Sequence, residues 1–247
     1  MGADDIAAIE RATVAAVSPT AQEELAGWLL PFDAGVVNRA KSAVPLSHDP
    51  PALDLIAAIE SRYLERGMRP LLRLPAVAAF DACRDALARR GWAETGKPVH
   101  VQVAPAAGVR AFTREPPADT DSRPDPGWAS VFLGEGFDPV AGASRVAILS
   151  RAPDALFASV RENDDTVAAG MGAYSHGWAS VHGMRTAQRC RGRGLAGRVL
   201  AALAHGALAR GMERMFLQVE AGNDAAISLY RRAGFATAWN YSYWTPR

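Results

Sequence analysis

The spacing of apolar positions changes period several times along the chain, and each change predicts an element. Residues 5–17 read as an amphipathic helix, interrupted at Ser18-Pro19, with Thr20 capping a short helical continuation to Ala26. Residues 28–32 and 35–45 read as extended segments. Asp49 before Pro50-Pro51 predicts a helix start with proline in its first turn. Leu53, Ile56, Ala57, Ile59 and Leu64 follow at roughly helical spacing, and Gly67 ends the run. A short strand over 69–74 comes next, then a helix over 76–90 closed by Gly91. Val99, Val101 and Val103 alternate within a strand over 97–104. Residues 104–127 hold Pro116, Pro117, Pro124 and Pro126, show no clear period, and read as a linker.

Beyond the linker, residues 128–136 read as a short helix. Three strands at hairpin spacing follow, over 155–161, 166–174 and 178–186, with turns at Asn163-Asp164-Asp165 and Gly177. The run Arg191-Gly192-Arg193-Gly194-Leu195-Ala196-Gly197 then opens a helix to Arg210, and Gly211 occupies the position that ends helices in the left-handed conformation. A strand over 214–219 leads to a helix capped by Asn223 and closed by Gly234. The final strand, 235–244, places Trp239, Tyr241 and Tyr243 on one face.

Composition narrows the class. The chain has 247 residues, 49% of them hydrophobic and 21% charged, enough apolar material for a sizeable core. No apolar run approaches the roughly 20 residues that span a bilayer. The start, Met1-Gly2-Ala3-Asp4-Asp5, lacks a signal-peptide pattern. Two cysteines, Cys83 and Cys190, make neither a disulfide framework nor a zinc cluster, so no metal is expected. A cytoplasmic protein without membrane or nucleic-acid partners is the expectation.

The net charge of +1 divides unevenly. Residues 1–125 carry 14 basic and 17 acidic side chains, and residues 126–247 carry 13 and 9. Between Asp165 and Glu213 there is no acid at all, while Arg185, Arg189, Arg191, Arg193, Arg198 and Arg210 fall in that window. Such a stretch suits either an anionic partner or a solvated basic face.

Glycines where a strand-following loop meets a helix start let the backbone approach an anion, and the helix N-terminus offers unpaired N–H groups. The loop matches G-x-G-x-x-G, and Glu220 lies 23 residues beyond Gly197, which also fits a dinucleotide fold. Against that fold, only two further strands follow before the chain ends. A nicotinamide-binding oxidoreductase stays open as the minor alternative.

A second pattern lies downstream. Asn223, Ala226, Leu229, Tyr230, Gly234 and Phe235 spell N-x-x-A-x-x-L-Y-x-x-x-G-F, with Asn223, Ala226 and Tyr230 sharing one helix face. At this point the chain resembles the GNAT superfamily of acetyl-CoA-dependent N-acetyltransferases. Arg191, Gly194 and Ala196 meet that family's pyrophosphate-loop pattern Q/R-x-x-G-x-G/A, and the asparagine–tyrosine helix follows in the right order. The resemblance covers roughly 128–247.

The resemblance implies an α/β (α+β) fold with a mixed, mostly antiparallel central sheet flanked by helices, in two tandem modules. It implies that Met184, Arg185 and Thr186 pair with the pantetheine arm of acetyl-CoA, with the Met184 N–H on the thioester carbonyl. Backbone N–H groups of Gly192, Arg193, Gly194, Leu195, Ala196 and Gly197, flanked by Arg191, hold the pyrophosphate, and Asn223 touches the cofactor arm. Tyr230 is the general acid toward the leaving thiolate, and a small-molecule or peptide amine attacks directly. Cys190 is then no nucleophile. For the base, Glu220 comes first, with His176 and His182 behind it. An acetyl-CoA-binding sensor without turnover is the other reading.

The first half echoes the second. An offset of 143 lays Gly91-Trp92 on Gly234-Phe235 and aligns helix, strand, helix and strand. The chemistry is not repeated: Leu87 falls under Tyr230, Phe80 under Asn223 and His48 under Arg191, and Pro50 and Pro51 lack the N–H groups a phosphate cradle needs. Residues 1–125 are therefore read as a degenerate module with linker, and 126–247 as the catalytic one. A cleft between modules, lined by Trp28 and Phe32, is the expected acceptor site.

Overall fold

The computed structural model describes residues 1–134 and 138–247. In its first half, α1 (Ala3–Val17) carries Asp4 and Asp5 in its first turn and is ended by Ser18 in a left-handed conformation. Strands β1 (Ala21–Leu25), β2 (Trp28–Phe32) and β3 (Val44–Pro45) follow, with a 3₁₀ turn at Asn38–Ala40. Then come α2 (Leu53–Leu64), β4 (Leu72–Pro75), α3 (Asp81–Arg89) and β5 (Trp92–Pro105). The middle holds α4 (Ala106–Arg110), β6 (Asp119–Asp121), α5 (Pro126–Leu133) and α6 (Pro139–Leu149). The second half runs β7 (Ala155–Glu162), β8 (Asp165–Ser175), β9 (Trp178–Thr186), α7 (Leu195–Ala209), β10 (Arg214–Glu220), α8 (Asp224–Arg232) and β11 (Ala236–Pro246).

Strands β1–β3 form a small sheet. The other eight form one sheet in the order β4-β11-β5-β10-β9-β8-β7-β6. It is antiparallel except where β9 meets β10, whose parallel register covers only Ala179, Ser180 and Val181 against Met215, Phe216 and Leu217. Aliphatic side chains of β8–β10 pack on α7 around Val199, Leu200 and Leu203 on one face. On the other face, Ile9 and Ala12 of α1 meet Phe216, Trp239, Tyr241 and Tyr243.

The two halves are interlocked. β5, from the first half, lies between β10 and β11 and pairs antiparallel with both. β11, from the second half, lies between β5 and β4. The echo holds at the level of elements: α3 and α8 stand 143 residues apart at both ends, and β4 and β10 each follow a helix and carry a parallel partner, Ala43 opposite Leu72 and Ala179 opposite Met215.

Several expectations are corrected. Residues 21–25 form a strand, not a helical continuation, because they pair antiparallel with Trp28–Phe32 across an Ala26-Gly27 turn. The predicted linker 104–127 is structured: Ala106 and Val109 are buried against α7, and β6 forms the sheet edge beside β7. The strand expected over 97–104 begins at Trp92. The chain after residue 137 carries α6, where no element is expected. The helix expected over 128–136 starts at Pro126, and its last two residues lie outside the described residues. Trp28 and Phe32 do not line a cleft between halves; they are buried with Ile56, Ile59 and Tyr63 in the first-half core.

Candidate active site

The opening between β9 and β10 is set by register. Past Val181 and Leu217 the parallel ladder stops. Pairing between β8 and β9 also shifts there, with Ala169 opposite Arg185 but Met171 opposite His182, and Gly183 takes φ +60° within the shift. Glycine suits that geometry, since a side chain there would be strained and would press on Phe132 and Leu149.

A cleft of about 520 Å³ lies at this opening. Met184, Arg185 and Thr186 of β9 form one wall, the 191–197 loop and the start of α7 form its floor, and Asn223, Ala226, Leu229 and Tyr230 of α8 form the other wall. The 191–197 loop and the 223–230 helix face, 26 residues apart at their nearest, thus border one cleft. Gly194 is the N-cap of α7, at φ +76°, with no side-chain cap and no acid in the first turn. The space beside Gly192 and Gly194 is open to 4 Å, and the start of α7, the positive end of its dipole, lines the cleft. These features suit a phosphate group.

Individual side chains refine the reading. Asn223 Oδ1 accepts from Ala226 N at 3.3 Å, so this residue caps α8 as well as lining the cleft. Tyr230 is buried, its ring edge-on to Phe235 at 6.0 Å between centroids. Burial pushes its hydroxyl up to about 12, opposed by Arg185, so it keeps its proton at neutral pH. Phe112, from the supposed linker, also lines the cleft and faces Gly197.

Charge is less free than the acid-free window suggests. Arg193 grips Glu162 with two hydrogen bonds of 3.0 and 2.8 Å. Arg189 pairs with Asp165 at 2.7 Å and Arg210 with Asp154 at 3.1 Å. Acids outside the window in sequence thus neutralise arginines within it. Arg191 stays exposed at the cleft, its Nε reaching Thr186 O at 3.5 Å.

Glu220 ends β10 on the face toward α1, exposed and outside the cleft lining. His176 sits in the β8–β9 turn, at the end of β9 remote from Met184. His182 is 3% exposed, and neither ring nitrogen has a hydrogen-bond partner among the described residues. Burial, then Arg39, drives its pKa down to about 3, leaving it neutral and a poor base. Arg39, Arg145 and Gln218 also gather near the opening; each is an isolated polar residue in a different element, with no sequence motif to announce it. Among the described residues the sheet has a single parallel pair and no doubly wound order, which removes the nicotinamide reading.

Comparison with known proteins covers nearly the whole chain. Residues 3–244 match the family model described as probable histone acetyltransferase Rv0428c C-terminal. The uncharacterized N-acetyltransferase YobR of Bacillus subtilis is 29% identical over 245 residues, 97% of this chain and 98% of YobR. Among solved structures, a GCN5-related N-acetyltransferase from Kribbella flavida superposes with TM-score 0.68 at 15% identity, covering 97% of this chain and 95% of that one. A tandem GNAT protein from the clavulanic acid biosynthesis pathway superposes with TM-score 0.61 at 13% identity, covering 99% and 96%. The chain therefore belongs to the Rv0428c C-terminal acetyltransferase family and is an acetyl-transferring enzyme of GNAT fold.

Proposed function

We propose that the chain moves an acetyl group from acetyl-CoA to a primary amine, using the cleft of its second half. The observation that carries this is the convergence of Met184–Thr186, the open glycine loop before α7, and Tyr230 on one cleft. Acetyl-CoA, when bound, supplies the activated acetyl thioester. Arg191 and the backbone N–H groups of 192–197 would hold its pyrophosphate. The Met184 N–H would polarise the acetyl carbonyl as a hydrogen-bond donor, and Arg185, Thr186 and Asn223 would position the arm.

Tyr230 holds its proton at neutral pH and donates it toward the sulfur that leaves. Glu220, just beyond the opening, takes the proton the amine gives up, directly or through water. Because the amine attacks without an enzyme nucleophile, the buried Cys190 has no covalent task.

The first half is catalytically silent in this reading. Its counterpart groove, about 440 Å³, is lined by Asp49, Pro50, Pro51 and Asp54. Two prolines without N–H groups and two acids oppose a pyrophosphate there. The test is a thiol-release assay with an amine panel, on wild type and Tyr230→Phe. Release with wild type and its collapse in the variant support the proposal; equal rates in the two refute the role of Tyr230, and acetyl-CoA binding without release supports a sensor.

A further inference from the structure

The second half does not build the cleft alone. Phe112, on the segment that joins α4 to β6, lines it and is half-buried. Its ring lies against Gly197, the third residue of α7. A Cβ at Gly197 would come to 3.1 Å from Phe112 Cε1, 3.4 Å from its Cδ1 and 3.8 Å from Thr113 Cβ. Gly192 and Gly194 take positive φ, whereas Gly197 does not. Glycine at 197 therefore serves the close approach of a ring rather than a turn.

The joining segment is fastened on both sides of this ring. Before it, Ala106 and Val109 of α4 are buried against α7, and Phe112 N donates to Val109 O at 3.2 Å. After it, Thr113 Oγ1 accepts from Glu115 N at 3.1 Å. Arg198 Nε donates to Pro116 O at 2.7 Å, and Ala118 N donates to Arg198 O at 3.2 Å. Pro116 and Pro117 restrict the backbone further. The ring is thus held at the start of α7 by bonds that involve no ligand.

Acetyl-CoA consists, in order, of an acetyl group, a pantetheine arm, a pyrophosphate and a phosphorylated adenosine. In the acetyl-transfer reading the first two lie between Met184–Thr186 and Tyr230, and the pyrophosphate lies on 192–197. The adenosine follows directly, beside that loop. Among the described residues, the cleft is lined by two aromatic side chains, Tyr230 and Phe112, and by no acidic one. Tyr230 belongs to the sulfur end of the donor in that reading. Phe112 stands next to the phosphate loop, where a flat apolar surface suits a base.

Resting on the acetyl-transfer reading, we propose that the adenine of acetyl-CoA packs on the Phe112 ring, so that the segment joining the two halves completes the donor site. Gly192 and Gly194 then admit the phosphates, and Gly197 seats the ring that takes the base. Phe112 is a positioning residue here. It adds affinity for the nucleotide end of the donor and takes no part in proton transfer.

The test titrates two donors into the full chain by calorimetry, with melting curves to confirm folding. One is acetyl-CoA; the other is S-acetyl-4′-phosphopantetheine, which keeps the acetylated arm and one phosphate but has no adenosine. Phe112→Ala is expected to weaken acetyl-CoA about tenfold, as the loss of one base–aromatic stack implies, and to leave the Kd of the truncated donor unchanged. Phe112→Tyr, which keeps the ring, should bind acetyl-CoA as wild type does. An unaltered acetyl-CoA affinity in Phe112→Ala, an equal weakening of both donors, or a loss in Phe112→Tyr as large as in Phe112→Ala overturns the inference and leaves the acetyl-transfer reading standing. Absence of acetyl-CoA binding by wild type overturns that reading and this inference with it.

Discussion

Val181 and Leu217 stand opposite one another at the last position where β9 and β10 run in parallel register. Everything attributed to chemistry lies just past this pair. On the α7 side is the glycine-floored cleft with Tyr230, and on the α1 side is Glu220. The opening joins the two, so in the proposed reading donor and acceptor approach from opposite faces of one sheet.

Tyr230→Phe removes the proposed proton donor and keeps the ring that packs against Phe235. We expect kcat to fall about 100-fold, within the range of general acid catalysis, with the Kd of acetyl-CoA unchanged. Because burial holds this hydroxyl near 12, against the pull of Arg185, the rate should show no loss from its ionisation below about pH 10. Stopped-flow thiol release across pH checks both statements; a wild-type alkaline limb near pH 8 that vanishes in Tyr230→Phe would contradict them.

His182 makes stability pH-dependent. Burial lowers its folded pKa to about 3 from the usual 6.5, so between these values the unfolded chain binds more protons. Its contribution is complete above about pH 6.5 and is lost as pH falls toward 3, by up to about 1.4 kcal/mol per unit. Urea midpoints at pH 7 and pH 5 should differ more for wild type than for His182→Gln. Equal differences would show that His182 does not titrate as described.

Glu10 of α1 and Arg73 of β4 form an ion pair at 2.8 Å with exposures of 3% and 0%, close but not aligned as a hydrogen bond. Removing one partner strands a buried charge. Arg73→Met or Glu10→Ala should each cost about 3–5 kcal/mol, and the double replacement by apolar residues should recover much of that loss. Chemical denaturation of the three variants decides it; strictly additive losses would mean that the two groups do not depend on each other.

Interlocking strands imply one cooperative unit. With β5 between β10 and β11, and β11 between β4 and β5, neither half can complete its sheet alone. Calorimetry of the whole chain should give a single transition, and a fragment of residues 126–247 should show no cooperative unfolding. Two separate transitions would contradict the shared sheet.

Much of this was legible in local sequence. Asn223 and Gly234 bracket α8, Gly211 closes α7, and the turns at Asn163-Asp164-Asp165 and Gly177 mark β8 and β9, because each of these signals acts within a few residues. The residues of the proposed acetyl-CoA cleft were picked out for the same reason, since its two motifs are short and each lies on one element. What local signals do not carry is pairing between distant segments. Residues 21–25 become a strand only through Trp28–Phe32, and β5 enters the second half's sheet from more than 100 residues away. Phe112 belongs to no motif and reaches the cleft only because the 106–118 segment docks on α7. The basic window likewise looked freer than it is, because Glu162 and Asp165 return to it through the β7–β8 hairpin.

The most direct test of the account is calorimetric titration of acetyl-CoA into wild type and Gly194→Asp, with melting curves to confirm that the variant folds. The loop before α7 and the acid- and proline-lined groove of the first half predict one site per chain, with binding weakened at least tenfold in the variant by like charge beside the pyrophosphate. Two equivalent sites, no binding at all, or an unaltered affinity in folded Gly194→Asp would contradict the assignment of the cleft.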